Sequence, residues 1–162
     1  MLSKGRVLQT IKEGKSRLDI EDVTFEVEYA QKPEGVGKRA EIVIWSKGRA
    51  KIVLYPDAAL FSVRHELCHM KLFRMGIPLT NTKRDLMLFP KQEDYLQMVR
   101  IVEWYINELQ KQVFQEYYAV DEVGTPRPPP FTGLPKLPNG KFTLKQVRTL
   151  TKVAGKDEPV LY

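Results

Sequence analysis

The chain has 162 residues, 43% of them hydrophobic and 28% charged, and a net charge of +6; that length buries a working core without staples. Its single cysteine, Cys68, excludes an internal disulfide and a zinc ribbon and points to a reducing compartment. No segment approaches the roughly 20 apolar residues of a membrane span, and the first twenty residues lack a signal-peptide block, so the expectation is a soluble, cytoplasmic protein without a membrane partner.

In chain order, Val7, Leu8 and Ile11 allow a short first helix. Val23 to Tyr29 then alternates apolar and polar residues, the signature of a half-buried strand. Glu41 to Trp45 and Lys51 to Tyr55 read as two more strands, joined as a hairpin through Ser46-Lys47-Gly48-Arg49. The expected fold class is therefore α+β, with a small, mainly antiparallel sheet leading into helices.

Residues 58–75 form the next predicted element, a buried helix. Leu60, Phe61, Val63, Leu67, Met70, Leu72 and Phe73 make it apolar on several faces, Asp57 is placed to cap its start, and Gly76 with Pro78 ends it. This helix carries His65-Glu66-Leu67-Cys68-His69, an HExxH pattern that contains both histidines of the chain. A spacing of four returns the side chain to within roughly 40° of its starting direction, so both imidazoles can converge on one metal. Glu66 can reach a water in the metal's open position and take its proton. The plainer alternative is a hydrogen-bonded histidine pair that serves only the core.

A catalytic zinc takes three protein ligands and a water. With histidine exhausted, a downstream carboxylate is the natural third ligand. The helix predicted over 92–118 has an apolar stripe through Val99, Val102, Ile106, Leu109 and Val113, and Glu103 stands at its margin with Asn107 one turn on. A carboxylate so placed needs a partner, which a metal supplies; an ion pair with Arg100 or Lys111 would be the ordinary substitute. Glu93, Asp94 and Glu108 are weaker candidates, the first two because the helix dipole favours acids there anyway.

Beyond this helix the composition changes. From Val123 to Lys156 there are Arg127, Lys136, Lys141, Lys145, Arg148, Lys152 and Lys156 and no acidic residue. Prolines 126, 128, 129, 130, 135 and 138 predict an extended strap over 121–140. Phe142, Leu144, Val147, Leu150 and Val153 then predict a short amphipathic helix within 141–154, ended by Gly155. The expected organisation is a catalytic domain over 1–120 and a proline-rich basic extension over 121–162. Nucleic acid is an available partner for the basic residues, but with no aromatic interleaving a solvated outer face is the favoured reading.

HELCH on one helix and Glu103-Trp104-Tyr105-Ile106-Asn107 on the next resemble the gluzincin arrangement of zinc peptidases, and the compact chain is most similar to the minigluzincins, small stand-alone catalytic cores. The resemblance covers about residues 40–118. It implies one Zn2+ per chain held by His65, His69 and Glu103, with Glu66 as general base in peptide-bond hydrolysis. It also implies a peptide or protein substrate paired in extended form against an edge strand near Lys51 to Tyr55. The family's aspartate after the glutamate is here Asn107, whose amide oxygen can still accept a ligand histidine's ring proton. With no histidine left to stabilise the oxyanion, Tyr117, Tyr118, Tyr105 or an arginine would serve. The proline-rich tail could lie across the cleft, so self-inhibition by the C-terminal segment is a further expectation. Two further readings are a DNA-associated protease resembling the SprT type, which uses a third histidine absent here, and a metal-binding module without turnover.

Overall fold

The computed structural model describes residues 1–32, 34, 37–77, 89–116 and 132–155. The chain divides into two compact units, Met1–Lys71 and Leu72–Tyr162. Among the described residues the fold is α+β, as expected, with four helices and one three-stranded sheet.

The first unit opens with α1 (Lys4–Arg17), whose start is capped by the Ser3 hydroxyl accepting the Arg6 N–H. Val7, Thr10, Ile11 and Gly14 are its buried residues, an i, i+3, i+4, i+7 stripe. Leu8 lies off this stripe and is 47% exposed.

Three strands follow: β1 (Thr24–Tyr29), β2 (Ala40–Ser46) and β3 (Arg49–Leu54). The β2–β3 hairpin is antiparallel, but β1 pairs with β3 in parallel, from Thr24 opposite Arg49 to Tyr29 opposite Leu54. The sheet is thus mixed, in the order β1-β3-β2. The hairpin turns β3 back against β2 and places it beside β1, with which it runs. This topology corrects one expectation: β3 is the central strand, so Lys51 to Leu54 has no open edge for a substrate. Among the described residues the outer strands are β1 and β2.

Alternation sorts the sheet's side chains between two faces. Ala50, Ile52 and Leu54 of β3 point to one side and are essentially inaccessible. On the other, Arg49 meets Glu26 at 2.7 Å and Lys51 meets Glu28 at 3.3 Å, while the Arg49 guanidinium lies 4.5 Å from the Trp45 ring centre. These exposed pairs fix register more than they stabilise, at about 0–1 kcal/mol each.

Tyr55, just past β3, donates its hydroxyl to Glu41 Oε2 at 2.6 Å. That bond, aided by burial and by the Glu41 charge, pushes the phenol up to about 12. Burial pushes the Glu41 carboxyl up, but hydrogen bonds from Tyr55 and Lys38 outweigh it and leave the group below the usual range. Because the folded phenol titrates above the unfolded one, its stabilising contribution is complete below about pH 10 and lost as pH rises toward 12. Urea midpoints over this range should fall more steeply for wild type than for Tyr55→Phe; parallel curves would mean that the Tyr55–Glu41 bond carries no linkage.

Helix α2 (Leu60–Arg74) starts two residues later than expected. Asp57 does not cap it: its carboxylate pairs with Lys32 at 2.7 Å, and the Ser62 hydroxyl accepts the Ala59 N–H instead. The histidines lie in the first unit and the last turn of α2 in the second, where Gly76 ends it at φ +105°.

The second unit is built on α3 (Gln92–Phe114) and α4 (Leu144–Val153), which pack on each other. α3 buries Met98, Ile101, Val102, Tyr105, Ile106, Leu109 and Gln110; Val99 and Val113, expected in this stripe, are only half-buried. It stops at Gln115, which takes the left-handed conformation at φ 55°. α4 begins with a capping box in which Thr143 and Gln146 satisfy each other's backbone N–H groups.

The chain between these helices is tied into the same unit. Tyr105 donates its hydroxyl to the Pro135 carbonyl and meets the Phe142 ring edge-on at 5.4 Å, and the Phe142 N–H donates to the Met75 carbonyl at 2.7 Å. At the far end, Gly155 sits at φ +93°, where a Cβ would come within 2.6 Å of the Asp94 carboxylate. Residues 121–131 of the expected strap, with Arg127 and prolines 126 and 128–130, lie outside the described residues, as do Pro78 and Lys156.

Candidate metal centre

The HExxH helix is buried on most of its circumference. Val63, Leu67, Cys68, Met70 and Leu72 are all at most 1% accessible, which fixes the helix's rotation about its axis. His65 and His69 occupy the side left half-buried, with ring centres 5.0 Å apart and planes inclined at 66°. Cys68 is fully buried, so the thiol between the two histidines belongs to the core. Glu66 is also buried, at 6% accessible, which is unusual for a carboxylate.

Glu103 stands on α3, half-buried, beside the buried pair Ile101 and Val102. One nitrogen from His65, one from His69 and one carboxylate oxygen from Glu103 lie within 4.8 Å of one another. Around a tetrahedral cation with bonds of about 2.0–2.2 Å such donors stand about 3.4 Å apart, a difference that side-chain rotation closes. The group can therefore hold a metal ion. Two imidazoles and one carboxylate supply neutral nitrogen and one negative charge, a set that suits several divalent cations.

Compared with known proteins, the chain matches no family model, no curated protein and no solved structure. The site is therefore read from its own chemistry.

Among the described residues, Glu93, Asp94 and Glu108 stand outside the donor group. Glu93 and Asp94 occupy the first turn of α3, and the Asp94 carboxylate lies against Gly155. Asn107 is half-buried on α3, one turn beyond Glu103. Of the tyrosines, Tyr105 is fully buried, its hydroxyl is committed to the Pro135 carbonyl, and burial pushes its phenol well above the ordinary range. An O–H donating there is spent, so Tyr105 is a packing residue of the second unit rather than an oxyanion donor. Tyr117 and Tyr118 lie outside the described residues. No helix among the described residues is long and apolar enough to cross a membrane.

Proposed function

We infer that this chain is a zinc-dependent endopeptidase of the gluzincin kind, with His65, His69 and Glu103 as the metal ligands and Glu66 as general base. The observation that carries the reading is the convergence of the three donors, two from the HExxH helix and one from α3. Bound there, zinc supplies a Lewis acid that polarises a peptide carbonyl and acidifies a water. The chain's own part follows from Glu66, whose carboxylate takes a proton from the attacking water and delivers it to the leaving amine. Asn107 would offer its amide oxygen to the ring N–H of a ligand histidine, holding the ring's orientation without adding charge. The substrate is an extended segment of peptide or unfolded protein. Zinc-loaded wild type set beside Glu66→Gln on an unfolded protein is the test: equal turnover in the two removes the reading.

Part of the reading is latency, in which the proline-rich segment restrains the enzyme. Deleting everything after residue 122 is a poor test, since residues 132–155 supply the acceptor for Tyr105 and the donor to Met75. An engineered protease site within 121–131 opens the segment and leaves both pieces in place. Nicking should raise peptide turnover; an unchanged rate counts against latency.

A further inference from the structure

Helix α4 turns Val147, Leu150, Thr151 and Ala154 into the second unit. At 100° per residue, Lys145, Arg148 and Lys152 fall within roughly 60° of one another on the opposite side, at i, i+3 and i+7. All three are exposed, as are Lys136 and Lys141 just before the helix. None of the five forms an ion pair among the described residues. Asp94, against Gly155, lies past the helix end and leaves Lys152 unpaired as well. Like charges three and four residues apart cost a helix about 0.2–0.5 kcal/mol per pair, and acids at those spacings would remove the cost. Here the stretch from 132 to 155 contains no acid at all.

We propose that this face binds the phosphate backbone of duplex nucleic acid, independently of sequence and of any peptidase activity. The row from Lys145 to Lys152 rises about 10.5 Å along a helix anchored by its buried side, a fixed line of cations facing a fixed line of anions. A lipid surface fits less well, because membrane-lying helices put their apolar side into the bilayer, and the apolar side of α4 is already buried. Single strands fit less well too, because the one aromatic among these cations, Phe142, is buried against Tyr105 and does not offer a face to stack a base. Contacts confined to phosphate carry no base readout.

The test is fluorescence anisotropy of the full chain with duplexes of unrelated sequence, in DNA and RNA form, across salt. Three neutralised phosphates give a slope of log K against log salt near −2.7, a loss of roughly 40-fold between 50 and 200 mM. The exposed triple Lys145→Gln, Arg148→Gln, Lys152→Gln should weaken binding at least about 10-fold and flatten the slope. Lys4→Gln, Lys12→Gln, Lys15→Gln on α1 removes equal charge and should change affinity less than about 2-fold. A wild-type slope shallower than about −1 overturns the proposal, and so do equal losses in the two triples or tighter binding to phosphatidylserine vesicles than to duplex. Circular dichroism confirms that both triples are folded, and the wild-type slope decides the matter without any variant.

Discussion

Glu103→Ala should strip the metal. Wild type loaded and desalted is expected to carry one zinc per chain by elemental analysis, and the variant almost none. Loss of a partner that merely orients a ligand costs about 10–100-fold in affinity, so loss of the ligand itself costs at least about 100-fold. Two effects add: the cation drops from three protein donors to two, and the only anionic donor in the group disappears. Glu103→Gln, which keeps shape and removes charge, should fall between. Because Glu103 is half-buried rather than part of the sealed stripe, the helix should survive the change, and unchanged circular dichroism verifies this. Full zinc retention by Glu103→Ala would sink the assignment and with it the peptidase.

Glu66→Gln should do the reverse, keeping the metal and losing the chemistry. A positioned general base contributes about 10²–10⁴-fold, and turnover by the zinc-loaded variant is expected to fall by that amount with one zinc still bound. Glutamine has nearly the same shape, so the packing at a residue only 6% accessible is preserved. It also keeps a hydrogen-bonding group at the buried position, so thermal stability should hold. A core role for Glu66 predicts the opposite pair of results, lower stability and unchanged turnover. The two variants thus separate metal retention from proton transfer in one experiment.

What could be read from residues alone follows the range of the physics involved. The spacing of His65 and His69 is a local property of one helix, and one helical period is enough to read it. Glu103 was accessible only indirectly, through its place at the edge of an apolar stripe; which of four acids reaches the histidines is a matter of tertiary placement. The strands were legible from alternation, but alternation has the same period in parallel and antiparallel pairs, so nothing in Val23 to Tyr29 announced that β1 would run with β3. Alternation does not encode strand order either, and it is the order β1-β3-β2 that takes the edge away from β3. Asp57 shows competition between two local rules: an aspartate before a helix favours capping, and Lys32, far away in sequence, took the carboxylate instead. Tyr105 is a candidate oxyanion donor only because no histidine is left for that role, and a residue type does not say where its hydroxyl points; here it faces Pro135.

The bond from Tyr105 to Pro135 also bears on how the protein ages. Trimming from the C-terminus past residue 135 would remove the acceptor of that hydroxyl together with Phe142 and α4, a loss of both the bond and the packing on α3. That loss falls on the helix that presents Glu103, two residues away. Exopeptidase erosion of the distant end would therefore loosen the support of Glu103 long before it reached any of the three donors.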